Sequence, residues 1–133
     1  MRRILVAGQD ARLLATRAEV LKKTGAEIVS CTASEALKFL ETEAPDLIVL
    51  CHSLSEEEAE MITRKAHERG QRTRLLMVVS EASRQRLHRD EMFDATTLSD
   101  PTRLIARAKE LLQELPNHHL KEIVNGQQRR TGL

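Results

Sequence analysis

The chain is 133 residues long, the size of one domain whose core can form without disulfides or a structural metal. Lys and Arg number 21 against 20 Asp and Glu, a formal charge of +1, so no overall field draws in nucleic acid or an anionic membrane. Phe39 and Phe93 are the whole aromatic complement, which removes the stacking platforms on which single-strand binders rely.

The opening MRRILVAG carries too short an apolar run for a signal segment or a membrane span, which leads to the expectation of a cytoplasmic protein. Arg3 to Ala7 is a strand closed by Gly8. Asp10 then caps a helix whose apolar positions are Leu13, Leu14, Ala18, Val20 and Leu21, and Gly25 ends it. Glu27 to Cys31 is the second strand. Thr32 and Glu35 form a capping box for a helix carrying Ala36, Leu37, Phe39 and Leu40, stopped by Pro45. Leu47 to Cys51 is the third strand. Ser55 and Glu58 open a further helix with Ala59, Met61, Ile62 and Ala66, before Gly70.

Leu75 to Val79 is a fourth strand, followed from Ala82 to Met92 by a polar helix with little apolar anchorage beyond Leu87. Phe93 to Leu98 is a weaker fifth strand. Asp100 and Pro101 stand as cap and first-turn residue of a helix carrying Leu104, Ile105, Ala108, Leu111 and Leu112. Strands alternating with helices imply parallel pairing through right-handed crossovers, and the unbroken apolar strands imply a sheet covered on both faces. After Pro116, one short turn with Leu120, Ile123 and Val124 on a face precedes a frayed tail. The domain division is thus 1–115, with 116–133 as a short C-terminal helix and tail.

In such a sheet, ligands sit beyond the carboxyl ends of the strands. Those ends are Gly8-Gln9-Asp10, Cys31-Thr32, Cys51-His52, Ser80-Glu81 and Ser99-Asp100-Pro101. The order and spacing of the five units, with ILVAGQD at the first turn, Gly25 and Glu27 before the second strand and PDLIVL leading into the third strand end, resembles the receiver domain of two-component response regulators. The resemblance runs from about Arg3 to Leu115. It implies a flavodoxin-like, doubly wound five-stranded parallel sheet in the order 2-1-3-4-5. It also implies an acidic pair at Gly8 and Gln9, a phosphoacceptor aspartate at Cys51, a hydroxyl at Ser80 and a lysine at Asp100 before Pro101. Ser80 and Pro101 alone match. In receivers the bond before that proline is cis, whereas capping by Asp100 with Pro101 in the first turn needs only a trans bond.

The departures remove the chemistry. A receiver needs carboxylates to hold magnesium before an aspartate can take a phosphoryl group against charge repulsion. Gly8 and Gln9 carry no charge, Cys51 has no carboxylate, and Asp100 places a negative charge where a lysine would meet the phosphoryl oxygens. The chain therefore reads as a pseudo-receiver: no enzyme, no cofactor, no metal, and a protein partner in signalling, with a homodimer also open. Two alternatives stay open beside it. One is a thiol redox sensor or small enzyme using Cys51; the other is a diverged receiver that still accepts a phosphoryl group.

The remaining candidates are weaker. Cys31 and Cys51 fit no CxxC or zinc spacing and read as free thiols. His52 follows Cys51 directly and, on an extended chain, points to the opposite face. His118 and His119 diverge on a helix and lack a third ligand. Asp10 and Asp100 are better caps than cation ligands. The basic stretch RGQRTR at 69–74 lies at the opposite pole. A strip of Arg84, Arg103 and Arg107 is the face proposed for an acidic partner, because receivers commonly bind partners there.

Overall fold

The apolar runs RILVA, LIVL and RLLMVV become the three central strands, and each is buried along nearly its whole length. They are β1 (Arg3–Ala7), β3 (Leu47–Leu50) and β4 (Arg74–Val79), flanked by β2 (Glu27–Cys31) and β5 (Ala95–Leu98). All four pairings are parallel and the order is β2-β1-β3-β4-β5, as the repeated strand and helix pattern requires. This computed structural model describes residues 2–69, 73–79, 95–98 and 100–113.

Alternation along each strand divides the core into two layers. Leu5, Ile48 and Leu75 lie in one row of the register, all fully buried, and face α2 (Ala33–Thr42) and α3 (Glu56–Arg69). Ile4, Val6, Leu47, Val49, Leu76 and Val78 point the other way, into a layer closed by Leu21 of α1 (Ala11–Leu21) and Leu104, Ala108, Leu111 and Leu112 of α4 (Pro101–Gln113). Such two-sided burial is why these strands carry no polar alternation.

The helix starts follow from their caps. Asp10 Oδ1 accepts the Arg12 and Leu13 amides, and Asp100 Oδ2 accepts that of Arg103. Both capping boxes close in both directions, Thr32 with Glu35 and Ser55 with Glu58. The peptide bond between Asp100 and Pro101 is trans. After α1 a single 3-10 turn, Lys22–Thr24, runs into Gly25, whose φ of 88° lies in the left-handed region that favours glycine.

At the amino ends of the strands, Arg3 binds edge and centre together. Its backbone N–H donates to Asp46 at 2.8 Å, and its guanidinium reaches Glu43 at 2.8 Å and Glu27 at 3.5 Å. It also lies 5.9 Å from the Phe39 ring centre.

Several boundaries differ from the expected ones. β3 ends at Leu50 rather than Cys51, because residues 51–54 already turn, with the Leu54 N–H donating to the Cys51 carbonyl at 3.1 Å. β4 starts one residue early at Arg74, and of the expected fifth strand Ala95–Leu98 is described, Phe93 lying outside the described residues. The polar helix expected at 82–92, Ser80, Ser99, Arg84 and the boundary and tail expected after Leu115, with His118 and His119, lie outside the described residues. Among the described residues no helix is long and apolar enough to cross a membrane.

Candidate functional site

Two loops build the carboxyl pole of the sheet. The first follows β1. Gly8 donates its N–H to the Cys31 carbonyl at 3.1 Å, and the Gln9 and Asp10 amides both turn toward Ser53 Oγ, at 2.9 and 3.4 Å. The second follows β3, where the Cys51 N–H donates to the Ala7 carbonyl at 3.0 Å and keeps the thiol next to β1. Leu54, buried, pins the far end of that turn. The Gln9 side-chain amide donates to Glu58, so α3 closes over the first loop.

Gly8 and Cys51 are in contact distance of one another. A methyl group at Gly8 would lie 3.2 Å from Cys51 Cβ, 3.2 Å from Ser53 Oγ and 3.4 Å from Cys51 Sγ. A side chain at the position where the resemblance places a carboxylate thus requires Cys51 and Ser53 to give way by a few tenths of an ångström. Asp10, the acid nearest Gly8 in sequence, and Asp100 are spent on helix caps. Among the described residues no group of three or more His, Cys, Asp and Glu side chains could hold a metal ion.

Arg17 of α1 is the residue the sequence reading missed. It is only 4% exposed. Its guanidinium stands beside Cys51, where its charge favours the thiolate, and lies, through Nη2, 3.4 Å from His52 Nδ1. Because the chain has left the extended conformation at Cys51, His52 does not diverge from the site as expected; both side chains meet the same cation. The signal was present in the sequence, since Arg17 stands three residues after Leu14 and four before Leu21, on the buried stripe of the helix. Ser53 carried no comparable signal.

The electrostatics follow from burial. Loss of solvent pushes the Cys51 thiol above its ordinary value despite the opposing pull of Arg17. Burial, and then Arg17, holds His52 below the usual imidazole range, with Asp10 opposing. A neutral imidazole accepting from Arg17 at Nδ1 carries its proton on Nε2. Cys31, buried at the end of β2, is pushed up to about 12 by burial and then by Glu35. Neither thiol sits in the exposed, electropositive setting that makes a reactive thiolate, and Cys51 is 1% exposed.

Of the expected site residues, the structure brings Gly8, Gln9 and Cys51 together; Asp100 and Pro101 start α4, with Asp100 exposed. Arg103 is exposed on α4, whereas Arg107, one turn on, is half-buried and paired with Glu110. A cleft of about 320 Å³ opens at the opposite pole, lined by Arg2, Thr24, Gly25, Lys109 and Gln113 among others.

No protein-family model matches the chain, and no curated protein does. Solved structures match it over most of its length. A CheY-like response regulator receiver domain from Methanospirillum hungatei is 25% identical, with a TM-score of 0.70 over 86% of this chain and 95% of that one. A CheY-like receiver domain from Methylobacillus flagellatus is 14% identical, with a TM-score of 0.71 over 84% of this chain and 98% of that one. The N-terminal domain of a response regulator/sensory box/GGDEF protein from Carboxydothermus hydrogenoformans is 14% identical, with a TM-score of 0.70 over 84% and 94%. With its five parallel strands in the order 2-1-3-4-5 and its two-loop carboxyl pole, the chain has the CheY-like fold of response regulator receiver domains.

Proposed function

We propose that this receiver-like domain works as a protein-recognition module in signal transduction and is not phosphorylated. The observation that carries this reading is the packing at Gly8. Cys51 and Ser53 crowd the point where an acidic side chain would branch from the backbone, and a buried arginine stands beside the position of the acceptor aspartate. Magnesium, which must be held by carboxylates and water, meets a buried guanidinium beside Cys51, while Asp10 is spent on the helix cap and Glu58 on Gln9 and the Ser55 amide. Without the metal, nothing offsets the charge on an incoming phosphoryl group.

Incubation with acetyl phosphate and magnesium is therefore expected to leave the intact mass unchanged. Magnesium itself should bind no tighter than millimolar. An acid-labile phosphoryl adduct on any aspartate overturns the reading and restores the diverged-receiver alternative. The redox alternative finds no support in a thiol that is sealed from solvent and raised in pKa.

A domain without a phosphorylation switch binds in one standing form. The face we assign to the partner includes Arg84, Arg103 and Arg107. Arg107 spends part of its charge on Glu110, so Arg103 is the stronger contributor of the two on α4. The double change Arg103→Glu with Arg107→Glu should leave folding nearly intact, because an exposed charge and a solvated i,i+3 pair on a helix surface contribute little to stability. It should weaken binding to an acidic partner by roughly three- to tenfold, the scale of two rim charges, and flatten the salt dependence. Calorimetric titration of a captured partner at two salt concentrations checks this. Unchanged affinity and salt response would move the interface to the carboxyl pole, and self-association in ultracentrifugation would identify a second copy of the chain as the occupant.

A further inference from the structure

Arg17 is an anomaly on energetic grounds. A guanidinium stays charged at any pH a protein survives, and burying a charge is costly unless it is paired. Yet among the described residues no carboxylate pairs with Arg17. Nη2 is spent on a neutral imidazole and the guanidinium touches a neutral thiol. Nη1 is buried without any hydrogen-bond partner. An N–H group left in that state forfeits its hydration and gains nothing in exchange.

The surroundings of Arg17 have the polarity to receive an anion. Asp10, the acid that acts on His52, has its carboxylate turned to the first amides of α1. Ser53 Oγ accepts from Gln9 and Asp10, which leaves its hydroxyl proton free to donate. His52, beside Arg17 Nη2, is only partly buried and lies in a turn. Because Nη1 is buried, a guest that pairs with it has to be small.

We propose that Arg17, with His52 beside it, anchors a binding site for a small inorganic anion of the halide class at the carboxyl pole, where receivers hold a cation. The polarity of the pole is inverted relative to the fold it shares. The anion supplies the missing counter-charge to Arg17 and a partner for Nη1, so its binding is coupled to the stability of the folded chain.

Chloride is the probe. The thermal midpoint of the wild-type chain is measured as chloride replaces gluconate at constant ionic strength, and the same titration is run on Arg17→Met, which keeps the bulk of the side chain and removes the charge. The wild type should gain on the order of 5 °C, saturating in the millimolar range, while the variant stays flat. Identical responses in the two chains, including none in either, overturn the site. Should Arg17→Met fail to fold, the chlorine NMR linewidth of the native wild type decides: saturable broadening lost on Arg17→Lys, which lacks the forked donor, supports the site, and unsaturable or absent broadening overturns it.

Discussion

Gly8→Asp, the change that restores half of the missing acidic pair, should lower the stability of the fold by at least about 2 kcal/mol rather than create a metal ligand. The new Cβ alone would sit 3.2 Å from Cys51 Cβ and from Ser53 Oγ. Cys51 cannot swing aside, since it is 1% exposed and its amide is bonded to Ala7. Overpacking of this kind costs about 1–3 kcal/mol. The carboxylate adds a desolvation cost, because Gly8 itself is buried. Gly8→Ala separates the two contributions: Gly8 is not in the left-handed region, so alanine regains about 0.4–1 kcal/mol through the unfolded chain and should come out only mildly destabilised. Urea melts of the three chains check the order. A Gly8→Asp chain as stable as wild type would mean that the pole has room for an acid after all, and the packing basis of the proposed function would fall.

Stability should also collapse on the alkaline side, beginning near pH 9. Below the ordinary thiol value both the folded and unfolded forms keep their protons, so Cys31 contributes no slope there. Between 9.0 and about 12 the unfolded thiol ionises while the folded one, held up by burial, does not. The unfolded state then binds fewer protons, and stability falls by about 1.4 kcal/mol per pH unit from this group. Across the whole window the loss is of order 3–4 kcal/mol. Cys51, also raised, acts in the same direction. The chain has no tyrosine, so no phenol obscures this range. Denaturant melts at pH 8, 9.5 and 10.5 should show the decline, and Cys31→Ala should reduce its slope. Parallel slopes in the two chains would assign the alkaline loss to Cys51 and the lysines instead.

How much of this was legible before the structure depends on what kind of signal each residue carries. The central strands were plain because a parallel strand buried on both faces has to be apolar throughout, and Leu47 to Leu50 can be nothing else. The caps were equally plain, since Thr32 with Glu35 and Ser55 with Glu58 are local chemistry with fixed spacing. Strand ends were less so: whether Cys51 belongs to β3 depends on a turn closed by Leu54, three residues on. The fold brings the ends of β1 and β3 together as the strand order implies, but the buried cation beside Cys51 was not foreseen. Arg17 was passed over because a charge on an apolar stripe reads as an interruption of the pattern, and only the packing of α1 against the sheet reveals it as a buried member. The meeting of Cys51 and His52 at that guanidinium depends on tertiary structure that neighbouring residues in sequence do not encode.

The strand order also governs how the chain comes to be folded. β1 lies between β2 and β3, and every ladder in the sheet is parallel, so no pair of strands can close as a local hairpin. Each ladder among β1 to β4 waits on the closure of a loop that spans at least one helix, which places folding among the slower single domains rather than the microsecond helical bundles. During synthesis the central strand emerges first, and the partner for its second edge, Leu47 to Leu50, emerges more than a helix later. Through that interval RILVA presents an open, apolar edge of the type that pairs with other chains. Arg2 and Arg3, charged residues at the start of that strand, stand where gatekeepers against such pairing are placed.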